Sequence, residues 1–246
     1  MNYKNEIETI VKFIEYTFNK KGFKNAIIGV SGGIDSAVVV ALCDRALGKE
    51  NVYGYALPCG EQKDINDSRK IAGLFDINYE EINIAPIVSK LIETMPKYFG
   101  TLPQGRIGNF ASRTRANILY DKSAEYGLGL VVGTSNKTEL MLGYFTLGGD
   151  GLCALEPIGH LYKTEVFEIA KELGIPQSII DKAPTAGLWE GQTDEGEIGL
   201  SYNQIDECLR ELQKGIKFTD TKYNKIYSMI VKNKFKLEPI PMLDRI

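Results

Sequence analysis

The sequence predicts an α/β fold: a parallel sheet with helices on both faces. Three observations carry that prediction. Short apolar, β-rich runs alternate along the chain with longer segments whose apolar residues recur at helical spacing. Strand–helix–strand–helix order implies crossover connections, which lay helices over a parallel sheet. Two of the expected strand ends run into loops dense in glycine, hydroxyl and acidic residues, Ser31–Ser36 and Gly133–Glu139. In such sheets ligands sit beyond the carboxyl ends of the strands, so these loops mark the candidate site.

The elements follow in order. Ile7, Ile10, Val11, Ile14 and Phe18 recur at helical spacing and make an amphipathic first helix ending near Gly22. Ala26–Val30 is the first strand, and Ala37–Leu47 reads as a buried helix, apolar almost all round. Val52–Leu57 is the second strand, broken by Pro58-Cys59-Gly60; Ile65–Phe75 is the next helix and Asn78–Ile82 the third strand. Ile84–Phe99 has a helical pattern with Pro86 near its start and Pro96 near its end. Thr101–Gly108, with Pro103, Gly105 and Gly108, reads as a loop before a long helix over Asn109–Tyr126. Leu128–Val132 is the fourth strand. Lys163–Leu173 is a helix, with Gly174 as its C′ residue and Pro176 beyond. Ala183–Gly199 is polar and glycine-bearing, and a loop of that length is usually functional or mobile. Ser201–Leu212 and Asp220–Lys232 read as closing helices.

Composition narrows the function. The 246 residues make one large domain or two small ones and suffice for a full core. A net charge of −3 supplies no basic field for nucleic acid. No run approaches the roughly 18 apolar residues of a membrane span, and Met1–Glu6 opens no signal peptide. Cys43, Cys59, Cys153 and Cys208 are scattered without a C-x-x-C, which fits free thiols in the cytoplasm. His160 is the single histidine, so histidine-pair metal sites and a Ser-His-Asp triad are nearly excluded.

The richest stretch is Ala26-Ile27-Ile28-Gly29-Val30-Ser31-Gly32-Gly33-Ile34-Asp35-Ser36. A strand, a glycine turn and a helix start aim free N–H groups and the positive dipole end at one spot, an anion site. Ser31 and Ser36 add hydroxyls. Asp35 would repel a phosphate unless a cation sits between them, which argues for Mg²⁺. The kinase-type G-x-x-x-x-G-K-[ST] loop does not occur.

This stretch resembles the S-G-G-x-D-S loop of the ATP pyrophosphatase (PP-loop) enzymes, a Rossmann-like adenine nucleotide alpha hydrolase architecture. Later segments resemble one branch of them, the NAD synthetases. Gly108–Arg115 is similar to their G-N-x-x-A-R-x-R, Gly133–Glu139 to G-T-[SD]-[NH]-x-x-E, and Gly143–Gly151 to G-[YF]-F-T-x-x-G-D-G. Leu161-Tyr162-Lys163, Ala183-Pro184-Thr185-Ala186 and Gln192-Thr193-Asp194-Glu195 complete the series, which runs in order from about residue 3 to residue 236.

The resemblance implies ATP-dependent amidation of deamido-NAD to NAD with ammonia, through an adenylate with loss of pyrophosphate and then AMP. It implies a homodimer and one synthetase domain over residues 1–246 without a glutaminase domain. It also assigns residues. Gly29, Val30, Ser31, Gly32, Gly33, Ile34, Asp35 and Ser36 would hold the ATP phosphates, with Gln62, Thr134, Lys163 and Thr185 as further ATP contacts. Asp35 and Glu139 would carry Mg²⁺. Asn109, Phe110, Arg113, Asp150 and Lys236 fall on the deamido-NAD side, Asp150 near the reacting carboxylate and Arg115 as a possible salt-bridge residue. The chain departs from the pattern at Leu147, commonly Lys, and at Ala154, commonly an acid. Two alternatives are a PP-loop enzyme acting on a nucleobase or RNA and a nucleotide sensor without chemistry. Scattered cysteines and the acidic balance weigh against the first; Asp35, Glu139 and Lys163 together weigh against the second.

Overall fold

The computed structural model describes residues 2–61, 65–95, 103–125, 127, 129–185, 191, 193–216 and 223–243. Helix α1 (Tyr3–Lys21) leads into β1 (Asn25–Gly29), α2 (Ile34–Leu47), β2 (Val52–Ala56), α3 (Ile65–Phe75), β3 (Asn78–Glu81), α4 (Ala85–Thr94), α5 (Gln104–Glu125) and β4 (Gly129–Val132). Among the described residues there follow α6 (Lys137–Leu142), α7 (Lys163–Glu172), α8 (Gln177–Ile180), α9 (Asp194–Ile198), α10 (Tyr202–Gln213), α11 (Asn224–Asn233) and a 3-10 turn over Lys234–Leu237.

The four strands form one parallel sheet in the order β3-β2-β1-β4, with Ala26 of β1 opposite both Val52 and Leu130. The chain steps outward from β1 to β3 on one side, then returns to place β4 on the other. The loops after β1 and β4 therefore meet at the point where strand order reverses, where open α/β sheets leave a crevice.

Period-two burial shows why the sheet is covered twice. Ala26, Ile28 and Val30 join a core with Ile7, Ile10 and Ile14 of α1, Leu42 of α2 and Ile169 of α7. Ile27 points the other way, into a cluster with Tyr55, Ile84, Val88 and Ala111 under α4 and α5. The apolar stripe of α1 is thus core within this chain. A third cluster, built from Leu142, Tyr162, Ile198, Tyr202, Ile205, Leu209 and Ile226, forms a helical layer of α6, α9, α10 and α11.

Two expectations needed correction. The segment before Asn109 is not a loop up to Gly108, because α5 already begins at Gln104, with Arg106 and Ile107 donating back to Pro103 O. Packing of Ile107 and Phe110 on the sheet outweighs the poor helix propensity of Gly105 and Gly108. Within 183–199, residues 194–198 are helical: the Thr193 side chain caps Gly196 N, and Asp194 and Ile198 are buried. The helix expected over Ile84–Phe99 is described as Ala85–Thr94, and positions 96–99 lie outside the described residues, as does Gln62.

Candidate active site

At the strand-order reversal a cavity of about 800 Å³ opens between the sheet end and the helical layer. One end is the loop after β1. Gly32 takes a positive φ of 84°, open to glycine at little cost, and Gly33 is the N-cap of α2. Ser31 Oγ lies 3.2 Å from Ser36 Oγ and accepts from Gly33 N; Ser36 Oγ donates to Gly33 O at 3.0 Å. The two hydroxyls so fix the turn at the start of a 14-residue helix, whose first N–H groups have no partner within the helix and whose first residues line the cavity.

Asp35 on the first turn of α2 is held from two sides. Asn136 Nδ2 donates to its Oδ1 at 3.0 Å, and the Lys163 ammonium pairs with its Oδ2. The same ammonium stands 3.5 Å from Glu139 Oε1. Glu139 is placed by a capping box: Asn136 Oδ1 accepts from Glu139 N and Glu139 Oε2 accepts from Asn136 N. Lys163 opens α7 and is 1% exposed, with the Tyr202 ring 5.3 Å from its nitrogen. Burial opposes its charge, but Asp35 and Glu139 outweigh burial and hold its pKa above the ordinary range. Burial is also the largest influence on Glu139; it pushes that carboxyl upward against the pull of Lys163. Two acids thus share one ammonium, an arrangement short of positive charge.

The far end is built on α5 and the turn after α6. Asp150 accepts from the Ser112 hydroxyl and from Thr146 N at 3.2 Å, while Thr146 Oγ1 donates to Asn109 Oδ1 at 3.0 Å. Lys236, from the 3-10 turn, donates to the carbonyls of Gly143 and Phe145, both at 2.7 Å, and burial lowers its pKa.

Of the residues singled out in sequence, Gly29, Val30, Ser31, Gly33, Ile34, Asp35, Ser36, Asn109, Thr134, Glu139, Asp150, Lys163, Thr185 and Lys236 line this one cavity. Phe110 instead packs against the cluster containing Ile27 and Tyr55. Arg113 is exposed and donates to Leu147 O at 3.2 Å. Arg115, two positions on and hence on another face, lines the cavity and donates to Leu57 O at 2.9 Å. Sequence reasoning missed the link from Asn136 to Asp35, two residues 101 apart, although the N-x-x-E spacing at Asn136–Glu139 was a readable cap. It also missed Lys182 on the cavity wall. Among the described residues, no three histidine, cysteine or acidic side chains form a metal cluster, and no helix is long and apolar enough to cross a membrane.

The NAD synthase family model matches residues 6–240. The NH(3)-dependent NAD(+) synthetase of Pyrococcus horikoshii is 47% identical over 85% of this chain and 78% of its own length. That of Thermoplasma acidophilum is 46% identical over 93% and 92%. Among solved structures, an NMN synthetase from Francisella tularensis superposes with a TM-score of 0.90 at 30% identity, covering all of both chains. An NH3-dependent NAD synthetase from Campylobacter jejuni gives 0.84 at 32% identity, over 99% of this chain and all of its own. A four-stranded parallel sheet, a phosphate-type loop at its reversal point and matches of this extent lead to one conclusion: the chain belongs to the NAD synthase family.

Proposed function

We propose that this cavity carries ATP-dependent amidation of deamido-NAD to NAD with ammonia, in two half-reactions. The observation that carries the reading is the convergence of Asp35 and Glu139 on Lys163 beside the N-terminus of α2, in the same cavity as Asn109 and Asp150. First, a nicotinate carboxylate oxygen attacks the α-phosphorus; the bond to the bridging β-oxygen breaks and pyrophosphate leaves. The N–H groups opening α2 and the Ser31 and Ser36 hydroxyls face the departing phosphates, and Lys163 opposes their charge. Then ammonia attacks the acyl carbon, AMP leaves with the electron pair of the broken C–O bond, and one proton passes to an acceptor. Asp150, which lines the cavity, is the carboxylate this reading assigns to that proton or to drawing ammonium in.

Mg²⁺ fits the donor set: Asp35 and Glu139 offer hard carboxylate oxygens that face a common cation and are short of positive charge. Bound there, it would neutralise triphosphate charge. Residues 1–246 act in this reading as one synthetase domain, as a homodimer and in the cytoplasm, all three by likeness to the family. Ammonia rather than glutamine is supported by the names of the relatives.

The test is pyrophosphate release from ATP with deamido-NAD, followed by amide formation with and without ammonium. Turnover should depend strictly on ammonium, and robust turnover with glutamine alone would overturn the reading. One observation favours a second substrate. The Francisella structure that aligns over its whole length is an NMN synthetase, and Leu147 and Ala154 replace charged residues of the dinucleotide pattern. Nicotinate mononucleotide in the same assay decides between the two.

A further inference from the structure

The phosphate end of the cavity carries too little positive charge for its task. Asp35 and Glu139 contribute two carboxylates against the single ammonium of Lys163, which is buried and committed to both. One Mg²⁺ on the two carboxylates would offset no more than their own charge, so a triphosphate or pyrophosphate placed there calls on a further cation. Arg106 lines the cavity from the start of α5, at the far end, and Arg115 and Lys236 are spent on Leu57 O and on the carbonyls of Gly143 and Phe145. Lys182 reaches the loop itself: its Nζ donates to Gly32 O at 3.4 Å and pairs with Asp67 Oδ2 at 3.2 Å.

Its setting suits a transferable charge. Ile179 and Ile180 just before it are buried in the sheet core, so its backbone is anchored. Three residues after it, Thr185 lines the same cavity, and Pro184 O accepts from Asp194 N of α9 at 3.0 Å. Asp67, in the first turn of α3, also accepts from Lys70 Nζ at 2.8 Å. It would stay paired if Lys182 left. A lysine is a compact charge on a flexible stem with three donors, able to exchange one anion for another.

We propose that Lys182 is a polyphosphate-binding residue of this site, released by Asp67 to the phosphoryl oxygens of ATP and of pyrophosphate. This rests on the ligase reading above. Because Lys182 stands between α8 and the segment that carries Thr185, its move ties nucleotide binding to that wall of the cavity.

Titration calorimetry of the full chain with pyrophosphate and Mg²⁺ tests it. Lys182→Met should weaken binding about tenfold, the size of one charge-assisted hydrogen bond, and Lys182→Arg should recover part of the loss. Asp67→Asn should tighten binding, by about threefold, by freeing the lysine from a partly exposed pair. In the Lys182→Met background Asp67→Asn should change nothing. Unchanged binding in Lys182→Met would overturn the proposal. So would weakening in Asp67→Asn, since the pair would then be a brace between α3 and the loop. A parent chain that binds no pyrophosphate at all would overturn the ligase reading, and this one with it, before any variant is compared.

Discussion

Glu156 allows a test that needs no ligand. Its carboxylate lies under the loop that follows β4, where Oε2 accepts from Ser135 N at 3.0 Å and Oε1 from the Cys153 thiol at 3.2 Å. The packing is close enough that a Cβ on Gly133 would stand 2.4 Å from the carboxylate. Burial pushes the carboxyl from an ordinary 4.5 up to about 7, the hydrogen bonds opposing it only in part. A carboxyl raised in this way holds its proton more tightly in the folded than in the unfolded chain. Its contribution to stability is therefore fully present below pH 4.5 and is lost as pH rises through 7. The whole difference amounts to about 3 kcal/mol. Glu156→Gln keeps the shape and one acceptor oxygen but cannot ionise. Relative to the parent, it should gain about 2–3 kcal/mol of stability between roughly pH 5 and pH 8. Any fixed cost of the substitution shifts the difference equally at every pH and leaves that slope intact. Urea unfolding of both proteins across this range gives the two stability curves directly. Parallel curves would refute the reasoning, because they would mean that burial does not penalise the Glu156 charge.

Three further outcomes bear on the reaction. Asp35→Asn and Glu139→Gln should each cut turnover by about a hundredfold or more, the several kcal/mol that a charge-holding role supplies, with a far smaller change in melting temperature. Matched losses of activity and melting temperature would make both residues structural. Asp150→Asn retains one oxygen for the Thr146 N–H and the Ser112 hydroxyl, so pyrophosphate release should persist while an ammonium chase of the adenylate slows. An unchanged chase rate at every ammonium concentration would leave Asp150 a turn residue. Lys236→Met removes two part-buried hydrogen bonds to backbone carbonyls. It should cost about 1–3 kcal/mol in denaturant and raise KM for the dinucleotide more than for ATP, and equal changes in both KM values would argue against a substrate-side role.

Much of the architecture was legible because each element's signal was local. Ile65–Phe75 stands where the apolar spacing put it, and α1 buries the residues that its period selected. The start of α5 was illegible because Gly105 and Gly108 speak for a loop at short range, whereas contacts with the sheet decide the outcome. The phosphate loop could be read in full, its parts being contiguous between β1 and α2. Side-chain direction could not. Likeness to the family assigned Phe110 and Arg113 to substrate; their rotation about α5, which no motif gives, leaves Phe110 partly buried against the Ile27 and Tyr55 cluster and turns Arg113 outward to Leu147 O. The Asn136–Asp35 bond joins the two loops at the reversal point, and such long-range pairing has no trace in one sequence.

The distribution of the two larger clusters along the chain has a consequence for assembly. The buried members of the core that holds the α1, α2 and α7 face of the sheet all fall between Ile7 and Ile180. The helical layer that walls the cavity adds Ile198 to Ile226 onto Leu142 and Tyr162, and the Lys236 clamp comes later still. A chain emerging from the ribosome can therefore settle its sheet and phosphate loop while the opposite wall of the cavity has yet to be made. Truncation after α8 should leave a folded nucleotide-loop body with no second wall. Sequence change in α9 to α11 can then remodel the pocket while the sheet that supports it keeps its own packing intact.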